Sequence, residues 1–426
     1  MLTAPARRPT GAGARRRRWD AWWVAGAVLP LLVVSDWKWR TRAADSAIGG
    51  SADAVVVLEI AVYASVALWL ALRFRWRPGG GRVDGLWLLV WAFSGITALA
   101  AVWSPFLSLG VVRGAQLLVI TAVGQSIARH ATRAQLHRLG HAFLALVGLG
   151  VVLGFVYQPA DAQGAAVTRF TWLAVHPVMS ATYMSMALLL CAAYVVSPGL
   201  RAQGPRRWPV GLHLALGALI AYGMFDNRTR GALAGLLVGL LVLAFERVRR
   251  RDTPAVLVGV GLTGLVVAAV LGSRLVAYVE RGEGADNLKT LNYRTELWGY
   301  AVDAWSQSPL AGRGTGATRG VFLEATGLGG GHNAFFNVLV DTGVVGALLW
   351  VGLLVALGRR LWTLPRGGDR PLLLALYVAL VLNGFTTEGL GASANVSMVL
   401  LLVLVGWVSA LDRLRREARP DPQVTA

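Results

Sequence analysis

The sequence predicts an all-α polytopic membrane protein, and three observations carry that prediction. Of the 426 residues, 55% are hydrophobic and only 15% are charged, a composition too apolar for an ordinary soluble protein. The apolar residues come in blocks of roughly 17 to 25, the length at which a helix crosses the hydrocarbon core of a bilayer. The short segments of alternating polarity that an outer-membrane barrel requires are absent from the sequence, which leaves helices as the spanning elements.

The apolar blocks predict twelve transmembrane helices in a single integral membrane domain, 1–426. The predicted spans lie near 20–35, 54–72, 86–104, 110–128, 139–158, 172–196, 210–226, 229–246, 254–273, 333–357, 371–388 and 395–411. The first block follows a run of arginines and has the outline of a signal peptide. No clear cleavage site follows it, so we expect this block to be retained as the first helix.

The distribution of positive charge predicts the orientation of the chain. The formal charge of +19 does not indicate nucleic-acid binding, because the arginines lie mainly between the apolar blocks and do not gather on one amphipathic face. If the N-terminus is cytoplasmic, the predicted inside segments hold 28 of the 41 lysines and arginines. By the positive-inside rule, both termini are therefore expected in the cytoplasm.

The predicted outer side carries one long loop, 274–332, between the ninth and tenth spans, and long ordered loops are commonly functional. Within it, residues 290–312 read as an amphipathic helix with Thr290 as N-cap, ended by Pro309 and Gly312. We expect the glycine-rich stretch that follows, GRGTGATRG, to be flexible backbone.

Five of the arginines on the predicted outer side or within a span are candidate site residues, because the usual preference places arginine on the cytoplasmic side. They are Arg113, Arg169, Arg228, Arg230 and Arg294. Such costly charges mark candidate functional sites, although snorkelling anchors and lipid headgroup contacts are the structural alternatives. Arg230 opens a span whose Gly231, Gly235 and Gly239 form a small-residue face for close helix packing. Arg294 shares the apolar face of the predicted loop helix.

Two histidines on the outer side are further candidates. His176 precedes Pro177 at the start of the sixth span, where it either makes a helix-entry hydrogen bond or contacts a ligand. His332 follows three glycines in GGGHNAFF, just before the tenth span, and Asn333 is placed to cap that helix or to orient the imidazole. An imidazole titrates near neutral pH, so His332 is a candidate general base, with a loop or cap residue as the alternative.

Together, these outer arginines and a histidine predict a site for an anionic, phosphorylated group beside a proton acceptor, because arginine binds phosphate bidentately. The sequence contains no D-x-D pair, H-E-x-x-H, Walker A motif or Cys/His cluster. It therefore predicts neither a metal nor another cofactor.

Three segments resemble the O-antigen ligase and polymerase superfamily. They are NRTRGALAG (227–235), YRTELWGYAVDAWSQSPLAGRGTG (293–316) and GGHNAFFNVLVDTGVVG (330–346), which are similar in order and spacing to that superfamily's motifs. The resemblance implies a membrane glycosyltransferase of the bacterial inner membrane with a periplasmic active site. It implies that Arg230 and Arg294 bind a diphosphate and that His332 is the catalytic residue.

For the substrates, the resemblance implies a glycan donor linked to undecaprenyl diphosphate and a metal-independent, inverting transfer. It favours an O-antigen ligase, with lipid A-core oligosaccharide as acceptor in lipopolysaccharide biosynthesis, because we find one sizeable outer loop and a short charged tail. The alternatives are an O-antigen polymerase or a protein O-oligosaccharyltransferase of the same superfamily. A transporter for an anionic lipid is a different class of hypothesis, and it predicts charges spread across the membrane depth.

Overall fold

The structure is a computed structural model. It describes residues 20–37, 53–74, 84–157, 169–172, 175–205, 208–248, 273, 294–326, 331–391 and 394–418, and all regular secondary structure in these ranges is helical. The predicted all-α class is therefore confirmed for the described part of the chain.

The main helices of the described ranges are labelled α1 to α13. They are α1 (Trp23–Asp36), α2 (Ala54–Phe74), α3 (Gly85–Ala100), α4 (Leu107–His130), α5 (Arg133–Val156), α6 (Pro177–Val196), α7 (Val210–Asn227), α8 (Arg230–Phe245), α9 (Arg294–Ser306), α10 (Ala317–Thr326), α11 (Ala334–Thr363), α12 (Arg370–Gly384) and α13 (Val396–Glu417).

Seven of these helices, α2 to α6, α11 and α13, are long and apolar enough to cross a membrane. The shorter apolar helices α1, α8 and α12 also coincide with predicted spans, as does α7. The ninth predicted span, 254–273, lies outside the described residues except for its last residue. The count of twelve spans and the orientation of the termini therefore remain predictions.

Helices α8 and α12 form the most extensive helix pair in the described chain, and the predicted small-residue face explains their contact. A Cβ added at Gly235 would come within 2.9 Å of the Ala379 carbonyl oxygen, and one at Gly239 within 3.1 Å of the Ala375 carbonyl oxygen. Only glycine allows the two backbones to approach this closely. The interaction seats Arg230, the first residue of α8, against the end of α12.

Helix α11 is broken at Gly343, where φ is 65° and ψ is −168°. The loop after α9 enters this break and replaces the missing helical hydrogen bonds. The N–H groups of Val344 and Val345 donate to the carbonyls of Pro309 and Leu310, at 2.9 and 3.4 Å. In return, the carbonyls of Val340 and Asp341 accept from the N–H groups of Arg313 and Gly314, at 2.7 and 3.0 Å. A break inside an apolar helix is tolerated because backbone groups freed at the break, such as these four, find partners in the loop.

The expectation that GRGTGATRG is flexible is therefore wrong. The Asp341 carboxylate accepts hydrogen bonds from the N–H groups of Gly316 and Thr318, at 3.0 and 2.9 Å, and this fixes the start of α10. Gly312, Gly314 and Gly316 have φ values of +71°, +101° and +84°. The glycines allow the backbone to adopt the left-handed conformations with which the loop inserts into the break in α11. They are not a sign of mobility.

The loop helix predicted over 290–312 ends earlier in the structure, and its predicted first residues, 290–293, lie outside the described residues. Helix α9 is described over Arg294–Ser306, and it ends three residues before Pro309. Its buried residues are Leu297, Ala301 and Ala304, so Arg294 stands at the start of the buried face, as the spacing predicts.

Candidate functional site

A polar cavity of about 350 Å³ lies where α1, α3 and α12 end and α4, α6, α11 and α13 begin. We call this end of the bundle the site end. The charged and titratable side chains that line the cavity are Asp36, Arg113, His176, Arg319, His332, Asp341 and Glu388. Thus three of the residues predicted from sequence, Arg113, His176 and His332, meet around one space.

His332 stands directly before α11 in a left-handed conformation, with φ of +48°. Its backbone N–H donates to the Glu388 Oε1 atom at 3.4 Å, and its Nδ1 atom lies 3.6 Å from the same oxygen. Nδ1 is therefore the ring nitrogen that is turned to Glu388. Burial lowers the pKa of His332 below its usual value, and Arg294 lowers it further, while Glu388 acts in the opposite direction.

Arg294 and Arg230 meet at the turn that follows α12 and carries Glu388. The Arg294 Nη2 atom donates to the Thr386 carbonyl at 3.3 Å. Gly231, next to Arg230, lies so close to the same turn that a Cβ would come within 2.0 Å of the Thr386 Oγ1 atom. Burial lowers the pKa of Arg294, and the nearby charge of Arg230 lowers it further. The two guanidinium groups therefore form a concentrated positive region beside His332, although neither residue lines the cavity itself.

Arg169 and Arg228 fix the turn between α7 and α8. The Arg169 Nε atom donates to the Asn227 carbonyl at 3.1 Å, and its Nη2 atom donates to Thr229 Oγ1 at 2.6 Å. Arg228 adopts the left-handed conformation, with φ of 56° and ψ of 31°, and ends α7. The structure thus gives both residues a part in placing Arg230, and their contact with substrate remains a prediction.

Asn333 caps α11 as predicted, because its Oδ1 atom accepts from the Phe335 N–H at 2.9 Å. Its Nδ2 atom donates to the Phe385 carbonyl at 3.3 Å, so the side chain joins the start of α11 to the turn after α12. This side chain does not line the cavity. His176 does line it, and its Nδ1 atom also accepts from the Val178 N–H at 3.4 Å, so the predicted helix-entry contact is present.

Glu388, Asp36, Arg319 and Asp341 are the cavity residues that sequence reasoning missed. Glu388 lies at the end of the eleventh predicted span, and Asp36 directly follows the first. At such positions the sequence pattern of a cavity carboxylate is the same as that of a carboxylate exposed to solvent. Asp341 lies in DTGVVG, part of a segment that resembles a superfamily motif. That resemblance was the only feature of the sequence that pointed to one of these four residues. In the described ranges, no group of three or more His, Cys, Asp or Glu side chains is arranged to hold a metal ion.

An apolar helical bundle with cationic and titratable groups gathered at one end is typical of a multi-pass membrane protein with a polar site at that end. Residues 215–351 match the family model Wzy_C, described as O-Antigen ligase. A comparison with curated proteins gave no match. This segment of the chain is thus similar to the O-antigen ligase family, whose members are membrane enzymes of glycosyltransferase type.

The matched segment contains most of α7, then α8 to α10 and the broken part of α11. It therefore includes Arg230, Arg294 and His332. Asp36, Arg113 and Glu388 lie outside it, although the structure places them around the same histidine or the same cavity.

Proposed function

We propose that the protein is an O-antigen ligase. It transfers O-antigen polysaccharide from undecaprenyl diphosphate to lipid A-core oligosaccharide at the periplasmic face of the inner membrane. The observation that supports this most is the position of His332 between the Glu388 carboxylate and the neighbouring Arg294, with a polar cavity beside it.

In the proposed reaction, an acceptor hydroxyl attacks the anomeric carbon of the donor sugar. The new glycosidic bond forms as the bond between that carbon and the diphosphate oxygen breaks. The hydroxyl proton passes to the Nε2 atom of His332, and the diphosphate leaves with the bonding electron pair. Direct displacement inverts the anomeric configuration.

Arg230 and Arg294 stabilise the leaving group in this mechanism. The diphosphate gains negative charge as the bond breaks, and preorganised guanidinium groups stabilise that charge more in the transition state than in the ground state. The pair therefore supplies the charge stabilisation that a divalent ion provides in other glycosyl transfers, and we propose a metal-independent reaction.

In this mechanism, Glu388 prepares His332 to act as a base. A carboxylate beside Nδ1 favours the tautomer that carries its proton there, which leaves the lone pair on Nε2. The same carboxylate stabilises the imidazolium that forms when the acceptor proton arrives, as the acidic partner does in other histidine-based sites.

Reconstitution of the purified protein tests the proposed function. We expect joined product when the protein in liposomes receives an undecaprenyl-diphosphate-linked glycan and lipid A-core in the presence of EDTA. Absence of product with the wild-type protein would contradict the proposal. Longer undecaprenyl-linked chains from donor alone would identify a polymerase, and glycan on an added protein substrate would identify a protein-directed transferase.

Arg294→Gln is expected to lower kcat/KM for the donor by about 10²–10³-fold, because it removes one charged donor from the diphosphate. Arg294→Lys is expected to recover only part of this loss, since an ammonium group cannot make the bidentate contact. Steady-state kinetics with varied donor measure the effect.

Arg313→Gln is the matched control for Arg294→Gln. Arg313 is a half-buried arginine of the same loop that does not line the cavity, and its backbone N–H bond to Val340 survives the substitution. Equal losses in the two variants would argue against a specific role for Arg294.

A further inference from the structure

We propose that the cavity at the site end is the acceptor subsite. In it, Asp36 and Arg113 bind the hydroxyl groups of the sugar that receives the glycan. This inference rests on the proposed function and adds to it the two residues that select the acceptor.

The charges around the cavity argue against the donor diphosphate as its occupant. Three carboxylates line it, those of Asp36, Asp341 and Glu388, and they outnumber the two guanidinium groups in its lining, those of Arg113 and Arg319. Arg230 and Arg294 do not line it. Carboxylates in a confined space repel a diphosphate but accept hydrogen bonds from hydroxyl groups. A mixed lining of carboxylates, guanidinium groups, amides and hydroxyls suits a polyhydroxylated sugar.

Asp36 is held firmly in the wall of this cavity. It is the last residue of α1 and is only 6% exposed. Its Oδ2 atom accepts hydrogen bonds from the Tyr183 hydroxyl at 3.0 Å and from the Val396 N–H at 2.7 Å. These bonds fix the carboxylate relative to α6 and α13, so its orientation toward the cavity is set before a ligand arrives.

Arg113 lies on the same wall. It projects from α4, is half-buried, and its Nη1 atom lies 3.4 Å from the Ala394 carbonyl oxygen. The segment 394–396 therefore contacts both Arg113 and Asp36. A guanidinium group donates and a carboxylate accepts, so together they can pair with neighbouring hydroxyl groups of one sugar ring.

The same cavity reaches the proposed base. His332 and Glu388 both line it, while Arg294 contacts the turn that carries Glu388. A sugar held by Asp36 and Arg113 can thus offer a hydroxyl to His332 from the cavity side. The donor diphosphate is bound by the arginine pair, outside the cavity.

Kinetics with the two substrates varied separately test this assignment. Arg113→Gln and Asp36→Asn are each expected to raise the KM for lipid A-core by about 10- to 100-fold, the effect of losing a hydrogen bond to a charged group. The KM for the undecaprenyl-diphosphate glycan is expected to stay within about threefold of wild type, well below that effect. A rise in the donor KM with an unchanged acceptor KM would overturn the proposal, as would no change in either.

Arg201→Gln is the matched control. Arg201 is also half-buried and also donates to a backbone carbonyl, that of Tyr194 at 2.8 Å. It follows α6, whose other end carries His176, so about 30 Å of helix separates it from the cavity. We expect this variant to keep both KM values.

Alkylation of a thiol placed in the cavity tests the acceptor assignment independently of whether the Arg113→Gln and Asp36→Asn proteins fold. The protein carries Leu109→Cys in the cavity lining and Cys191→Ala to remove the native thiol. Lipid A-core is expected to slow alkylation by maleimide, and the donor glycan is not. Protection by the donor alone would overturn the acceptor assignment. Failure of wild type to form product, despite protection by lipid A-core, would refute the proposed function and leave the binding assignment standing.

Discussion

Replacement of His332 by alanine is expected to lower kcat by about 10²–10⁴-fold, the usual contribution of a positioned general base. The acceptor hydroxyl would then have to lose its proton to water, while the arginine pair still binds the diphosphate. Single-turnover transfer with both substrates saturating measures the effect.

The control for this substitution is His130→Ala. His130 is exposed and stacks on Phe74 with ring centroids 4.1 Å apart, at the end of α4 far from the cavity. We expect it to transfer at the wild-type rate. If His332→Ala kept wild-type kcat, the assignment of His332 as the base would be wrong.

The pH profile separates a base from a residue that only positions the acceptor. A base works in its neutral form, so activity falls when pH drops below the pKa of His332, which burial holds below its usual value. Glu388→Gln removes a carboxylate that raises this pKa and is expected to move the acid limb to lower pH. Arg294→Gln removes a cation that lowers it and is expected to move the limb to higher pH. A positioning role predicts no such opposite shifts.

Gly343→Ala is expected to destabilise the protein by about 3 kcal/mol or more and to abolish transfer. The backbone at this position lies at φ of 65° and ψ of −168°, a region that essentially only glycine occupies. An added Cβ would also come within 2.2 Å of the Leu310 carbonyl oxygen, so the inserted loop would be displaced from the break in α11. Thermal unfolding in detergent and transfer kinetics measure the two effects.

Gly352→Ala in the same helix is the control. A Cβ there would meet only the Leu89 side chain, at 3.6 Å, and alanine favours helix over glycine by up to about 1 kcal/mol. We expect equal or higher stability and full activity. A Gly343→Ala protein that unfolds at the wild-type temperature would show that the break does not hold the loop.

The sequence was sufficient to predict the long apolar helices of the described ranges, because long apolar blocks leave few alternatives to spanning helices. It also placed Arg230, Arg294 and His332 on one predicted face, and in the structure Arg294 lies near Arg230 and contacts the turn that carries Glu388, the neighbour of His332. Their roles in a site remain predictions. It did not reveal Glu388. An acidic residue at the end of a span has the same local pattern whether it faces solvent or a histidine 56 positions earlier in the chain.

Arg169 illustrates a second limit of sequence reasoning. An arginine that binds backbone carbonyls and one that binds phosphate look alike in a single sequence. Only the contacts with Asn227 and Thr229 show that Arg169 supports the turn before Arg230. The prediction that GRGTGATRG is flexible failed for a related reason. Glycine makes a loop mobile in some proteins, and in others it lets the loop backbone approach another segment closely.

The contact between Asp36 and Val396 has a consequence for biosynthesis. These residues are 360 positions apart, so the carboxylate in α1 enters the membrane long before its partner exists. At typical bacterial elongation rates of about 5–20 residues per second, the interval is roughly 20–70 s. During that time the emerging chain lacks one wall of the polar cavity, and the cavity cannot close until the start of α13 has been synthesised. A nonsense mutation between α12 and α13 would therefore remove one wall of the cavity, although α1 to α12 would still be synthesised.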